Sequence, residues 1–249
     1  MHFKKSVLFF VFCVSSMLTQ AQMVLQGKID YQRKMNIHRQ FDGMGEESNS
    51  YMQAFMAKVP KFDTRTFLLY FNAKQSKYLP VKQEENPMLN MMGGLPGTET
   101  QVWNDFEHQK AIASKKIFEQ NFLIDDTIRN LSWKILDEVR IISGFSCRKA
   151  TTKINDSVVV VAFYTDKIPV SGGPEMFAGL PGMILELAIP RLYTTWVAQN
   201  VTLQNVGPAE LVVPDKGKKT TMSEVEKTLR SSTKGWGKFA EKSIWWSCL

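Results

Sequence analysis

The chain has 249 residues, 44% of them hydrophobic, with 31 basic and 24 acidic side chains. A net charge of +7 is mild for this length, and the basic residues are scattered, Lys115-Lys116 and 216–219 being the tight groups. A nucleic-acid binder would gather them on one face, so that class is set aside; so is a membrane span, because no stretch beyond the N-terminus approaches 18 consecutive apolar residues.

Residues 1–5 are short and positive, 7–14 are apolar, and Thr19-Gln20-Ala21 is small at its first and third positions. This is the three-part pattern of a secretory signal peptide, and the apolar run is too short to cross a bilayer. Cleavage after Ala21 is expected, and loss of Lys4 and Lys5 leaves 29 basic against 24 acidic side chains. Three segments follow from this reading: a signal peptide over 1–21, a β-rich domain over 22–214 and a Lys- and aromatic-rich tail over 215–249.

Residues 24–37 have strand character, 42–50 are polar and loop-like, and apolar spacings of three and four over 51–59 predict a short helix ended by Pro60. The run 64–71, with Phe67 and Tyr70, predicts a strand, as does 76–82, interrupted by Pro80. A Pro- and Gly-rich loop spans 84–100. Further strands are expected over 101–106, 110–118, 120–124, 131–137, 147–154, 157–165, 183–189 and 193–206. Asn155-Asp156 and Ser143-Gly144 are turn-prone and place two hairpins. The continuous apolar character of 183–189 predicts burial on both faces. A helix over 223–229 is predicted, with Ser223 as cap and Glu226 three residues on. Aromatics close to the last residue, Trp245-Trp246, predict a segment docked on the body, a partner contact being the alternative.

Many short strands joined by tight turns predict a mainly β fold: an antiparallel curled sheet or half-open barrel with one or two short helices. By analogy it is similar to the half-open barrels of lipoprotein carriers.

Catalytic and metal motifs are weak. His38 and His108 lack ligand-spaced partners, and strand alternation would set Asp105 and Glu107 on one face with His108 on the other. Gly144-Phe145-Ser146-Cys147-Arg148 departs from a nucleophile elbow at Arg148. No catalytic residue and no cofactor is assigned, and the chain is read as a non-enzyme. Met88, Met91 and Met92 form a thioether cluster, a soft donor set suited to Cu(I); the plainer reading is adaptable packing. Cys147 and Cys248 could pair in an oxidising compartment, or Cys147 could simply be buried in a strand.

Gly179-Leu180-Pro181-Gly182-Met183-Ile184 is the most specific motif. Two glycines permit positive φ and Pro181 fixes φ near −65°, which makes a stiff turn feeding the 183–189 strand. The functional alternative is a preformed loop that offers backbone groups to a ligand or partner. Gly94 to Gly97 repeats Gly-Leu-Pro-Gly without a following apolar strand and is read as an echo.

With Met183 in place of Leu, that motif resembles the GLPGLI family of exported Bacteroidota proteins. Ile142-Ser143-Gly144-Phe145-Ser146-Cys147-Arg148-Lys149-Ala150 and Ala162-Phe163-Tyr164-Thr165 are similar to further family signatures. The resemblance covers roughly 24–206. It implies a cell-envelope setting, periplasmic or outer-membrane associated, and no particular chemistry. Asp126-Thr127-Ile128 and Asp156-Ser157-Val158 look like O-glycan acceptor patterns of that setting. The function expected is therefore a non-catalytic envelope binding or accessory module for a lipophilic ligand, a peptide or an outer-membrane partner. A Met-loop copper binder and a hydrolase with an unrecognised site are the alternatives.

Overall fold

The computed structural model describes residues 25–41, 54, 56–84, 86–91, 94–155, 157–235 and 237–249. The expected signal peptide, the 42–50 loop and Met92 lie outside them. Among the described residues, twelve strands form one sheet that does not close into a barrel. In chain order they are β1 (Gly27–Asn36), β2 (Phe62–Phe71), β3 (Gln75–Pro80), β4 (Gln101–Asp105), β5 (Lys110–Ile117), β6 (Gln120–Thr127), β7 (Lys134–Ile142), β8 (Phe145–Ile154), β9 (Val158–Thr165), β10 (Met183–Ile189), β11 (Thr194–Leu203) and β12 (Lys218–Thr220). The order across the sheet is β12-β6-β5-β4-β3-β2-β1-β11-β10-β9-β8-β7. All pairs are antiparallel except β12, which runs parallel to β6.

β1 lies mid-sheet, between β2 and β11. Its alternation turns Ile29, Tyr31, Arg33 and Met35 into the core and leaves Lys28, Gln32 and Lys34 more exposed. β5 does the same with Ala111, Ala113, Lys115 and Ile117. Two strands thus carry a charged residue in phase with their apolar face, because successive side chains in a strand point to opposite sides. The sheet curls strongly: Ser143, in the β7–β8 turn, donates its hydroxyl to the Ala198 carbonyl of β11, three strands from β8.

The hairpins fall where turn residues predict them. Asn155 (φ 47°) joins β8 to β9, and Ser143 and Gly144 (φ 48° and 83°) join β7 to β8, the double positive φ that matches strand twist. β10 has its expected bounds, with Met183, Ile184 and Leu185 all buried. β7 starts three residues later than predicted and runs to Ile142; its side chains are mostly exposed, so its alternation is weak. Pro80 ends β3, where its missing N–H costs no ladder bond.

Helices that flank the sheet among the described residues include α1 (Ile37–Gln40), α2 (Pro87–Asn90), α3 (Met222–Ser232) and α4 (Gly237–Ser247). The described part of the helix predicted over 51–59 is helical at 54 and 56–58. The cap of α3 lies two residues before the predicted one. Thr221 and Glu224 form the capping box instead, because β12 ends at Thr220 and this phase buries Val225 and Leu229. The aromatic end docks on the body: Ile244, Trp246, Cys248 and Leu249 belong to the single core cluster, and Trp246 packs on Trp196 of β11 at 6.1 Å.

Candidate functional site

The Gly179–Gly182 turn is built to hold one shape. Gly182 has φ +154°, and a Cβ there would stand 2.1 Å from the Thr165 carbonyl oxygen. Gly179 N–H donates to Ser171 Oγ (2.8 Å), and Trp133 Nε1 donates to the Ala178 carbonyl (2.9 Å). Met183 and Ile184 N–H donate to the carbonyls of Ile168 and Gly172. Leu180, Gly182, Met183 and Ile184 are buried, so the outward part of the motif is Gly179 and Pro181.

Gly179 and Ser171 form one wall of an open cleft of about 550 Å³. Arg129 and Asn130, after β6, and Phe106 and Gln109, from the β4–β5 turn, form others. Arg129 donates to the Cys248 carbonyl (2.7 Å), which ties the cleft to the end of α4. Burial lowers its guanidinium pKa from the ordinary value.

Behind the same loop lies a cluster of charges inside the core. Arg33 is 0% exposed, Glu175 1% and Lys115 3%. Lys115 Nζ stands 3.8 Å from Glu175 Oε2, too far for a hydrogen bond. Arg33 Nη1 donates to the carbonyls of Pro96 (3.1 Å) and Gly97 (2.9 Å), and its Nη2 lies 3.7 Å from Asp63. The second Gly-Leu-Pro-Gly is therefore no idle echo: its backbone caps a buried guanidinium, and Gly97 leaves room for Arg33 and Trp246. Tyr78 accepts from Trp196 Nε1 (3.1 Å) and stacks on Phe67 at 5.0 Å, with its hydroxyl near the Glu175 carboxyl. Burial pushes the Glu175 carboxyl up, against the pull of Lys115 and Arg33, and pushes Lys115 down, against the pull of Glu175. Glu175 also holds a left-handed backbone (φ 55°), a conformation that non-glycine residues keep where surrounding structure enforces it.

The other predicted residues are dispersed. Met88 packs half-buried against the core, and Met91 is 86% exposed. Cys147 and Cys248 are both free in this structure, and both are buried. Cys147 lies on β8 near Tyr31 and Glu186, whereas Cys248 lies by Asn155, Arg129 and Lys115. Burial pushes the Cys147 thiol up to about 12. We expect a thiol reagent near neutral pH to leave Cys147 unmodified in the native protein, and two thiols to titrate after denaturation without reductant; no titratable thiol would show a disulfide.

β4 ends at Asp105, so strand alternation does not reach His108. The turn brings His108 Nδ1 to 3.0 Å from Asp105 Oδ2, and the carboxylate holds the imidazole above its ordinary pKa. Among the described residues no group of three or more His, Cys, Asp or Glu could hold a metal ion. Thr127 and Ser157, in the two glycan-like patterns, are exposed.

Residues 151–186 match a family model described as a protein of unknown function (Porph_ging). That stretch carries β9, Glu175 and the Gly179–Gly182 turn. No curated protein matches the chain. Among solved structures, PNGF-II in space group P21 is 14% identical, with a TM-score of 0.52 over 84% of this chain and 34% of that one. PNGF-II in space group C2 gives 14%, 0.51, 90% and 33%. The chain thus spans about a third of the length of PNGF-II, and the likeness is one of fold. An uncharacterized conserved protein from Thermus thermophilus is 7% identical, with a TM-score of 0.39 over 81% and 94% of the two chains.

Arg33 and Lys115 are visible in the sequence as charged residues in phase with apolar ones, a signal that the strand reading passed over. Glu175 lies in a loop without period, and no local pattern marks it.

Proposed function

We propose that this chain is a non-catalytic binding or accessory module of the cell envelope, exported by its N-terminal signal and belonging to the GLPGLI-type proteins. In this reading it meets its partner, a peptide segment or an outer-membrane protein, at the cleft beside Gly179. The observation that carries it is that the stiff turn spends its buried residues on fixing Gly179 and Ser171 at the cleft wall. Such a wall offers polar groups without ordering cost on binding. The occurrence of the same fold as a third of a longer chain supports the reading of a module. The envelope setting rests on the leader and on the family resemblance.

A photo-crosslinking amino acid placed at Asn130, in the cleft, tests this in the native host. A discrete crosslinked species is expected there and not from the same probe at exposed Lys153 on β8. The same products from both positions, or none from either, would remove the cleft as the contact site.

A further inference from the structure

The polar groups of a protein core are almost always hydrogen-bonded. In this core five polar atoms of three neighbouring side chains have no hydrogen bond of ordinary length: Arg33 Nε and Nη2, Lys115 Nζ and both carboxyl oxygens of Glu175, although Asp63 lies 3.7 Å from Nη2 and the Tyr78 hydroxyl lies beside the Glu175 carboxyl. Each side chain is more than nine-tenths buried, and each feels the charge of another: Arg33 and Lys115 both act on Glu175. We propose that this Arg33–Lys115–Glu175 cluster is a ligand site for the anionic head of an acyl-chain amphiphile, and that α4 with the residues after it is its displaceable cover.

The sign of the head follows from the charges. Two cations face one carboxyl, while Asp63, near Arg33, is already taken by Arg65 at 3.0 Å. An oxyanion is the group that Lys115 Nζ and the free Arg33 nitrogens can bind together. Glu175, pushed by burial toward its protonated form, can donate to the same head.

The apolar part follows from the walls. Phe67 and Tyr78 stack parallel, the Arg33 guanidinium lies 5.1 Å over Phe67, and Trp196 completes the surface. What now lies on this surface is itself apolar: Trp246, 6.1 Å from the Trp196 ring and with Arg33 5.7 Å over its own. The cover is held by the burial of Ile244, Trp246, Cys248 and Leu249 and by polar contacts, among them Lys242 Nζ donating to the carbonyls of Arg39 (2.8 Å) and Gln40 (3.4 Å). Trp246 Nε1 donates to Gln40 Oε1 (3.1 Å), Leu249 O accepts from Met176 N (3.0 Å), and Cys248 O accepts from Arg129. It joins α3 through a turn containing Gly235, which has φ +96° and open space around it, a suitable hinge. Glu175 and Met176, adjacent in one loop, touch the site and its cover respectively.

Titration of the full exported chain with 11-(dansylamino)undecanoic acid tests this. Saturable binding is expected, weakened at least about tenfold when the carboxylate is replaced by the uncharged alcohol analogue. The variant K115M/E175L, whose fold is expected to be at least as stable as the wild type, should lose binding to a similar degree. Trp246→Phe, a mild loosening of the cover, should tighten it, and backbone hydrogen exchange over 240–249 should speed up on ligand addition. Ser171→Trp, which fills the outer cleft, should change nothing. No binding by any form, equal binding of the alcohol, or undiminished binding by K115M/E175L would overturn the proposal. So would binding that Ser171→Trp abolishes, or that leaves exchange over 240–249 unaltered. Displacement of the probe by millimolar inorganic phosphate would overturn the acyl-chain assignment.

Discussion

Lys115→Met alone should destabilise the fold by about 3–5 kcal/mol in urea denaturation, whereas K115M/E175L should be neutral or more stable by about 1–4 kcal/mol. The single change removes the cation nearest to a fully buried carboxyl; the double change replaces a loose ion pair by apolar side chains. At 3.8 Å, with no hydrogen bond closing it, the pair recovers little of the desolvation of its two charges. The pH dependence separates the cases. The Glu175 carboxyl is raised by burial, so the stability it contributes is fully present below its ordinary value of 4.5 and is lost as pH rises through its folded value. Lys115 is lowered, so its contribution is full above 10.5 and is lost as pH falls through its folded value. The charged form of each group is therefore carried at a cost wherever it is populated in the folded chain. The deficit of Lys115→Met should shrink on acidification, as Glu175 takes up a proton, and K115M/E175L should show no such change. A deficit independent of pH would mean that packing, not charge, governs the site.

Gly182→Ala should cost about 3 kcal/mol or more, while Gly179→Ala should cost about 1–2 kcal/mol. Both positions have positive φ, at +154° and +95°, so backbone strain is common to them. The difference is steric. At Gly182 the new methyl meets the Thr165 backbone at 2.1 Å, and β9 would have to move; at Gly179 the nearest atoms are those of the Trp133 ring at 3.6 Å, an ordinary contact. Thermal unfolding of the two variants reads this directly. Equal losses would show that the turn, not its fit against β9, sets the requirement for glycine.

Period-two patterning and turn chemistry made the strands legible. β10 was readable because three buried residues in a row need both faces covered, and the β8–β9 hairpin because Asn155 tolerates a left-handed backbone. The α3 boundary was misplaced because Thr221-Glu224 and Ser223-Glu226 both satisfy the capping pattern, and tertiary burial of Val225 and Leu229 chose between them. The parallel pairing of β12 with β6 joins segments far apart in sequence and leaves no local trace. The same holds for the charge cluster: Arg33, Lys115 and Glu175 come from a central strand, a distant strand and a loop. The second Gly-Leu-Pro-Gly looked idle because its partner, the Arg33 guanidinium, is remote in sequence. The aromatic residues 245–246 were rightly expected to dock, yet nothing in their composition pointed to the charges beneath them.

The central place of β1 has a consequence for how the chain reaches its shape. Gly27 pairs with Leu203, and Tyr31 with Ala198, so the first strand cannot be flanked on both sides until nearly the whole chain is available. A chain delivered N-terminus first would hold β1 with one bare edge while the rest follows. Sheets closed by such distant pairings fold in milliseconds to seconds, not microseconds, and their unpaired edges meanwhile invite association with other chains. Refolding at rising protein concentration should therefore lose yield at the stage before β11 docks, and a chaperone that shields the Gly27–Asn36 edge should restore it.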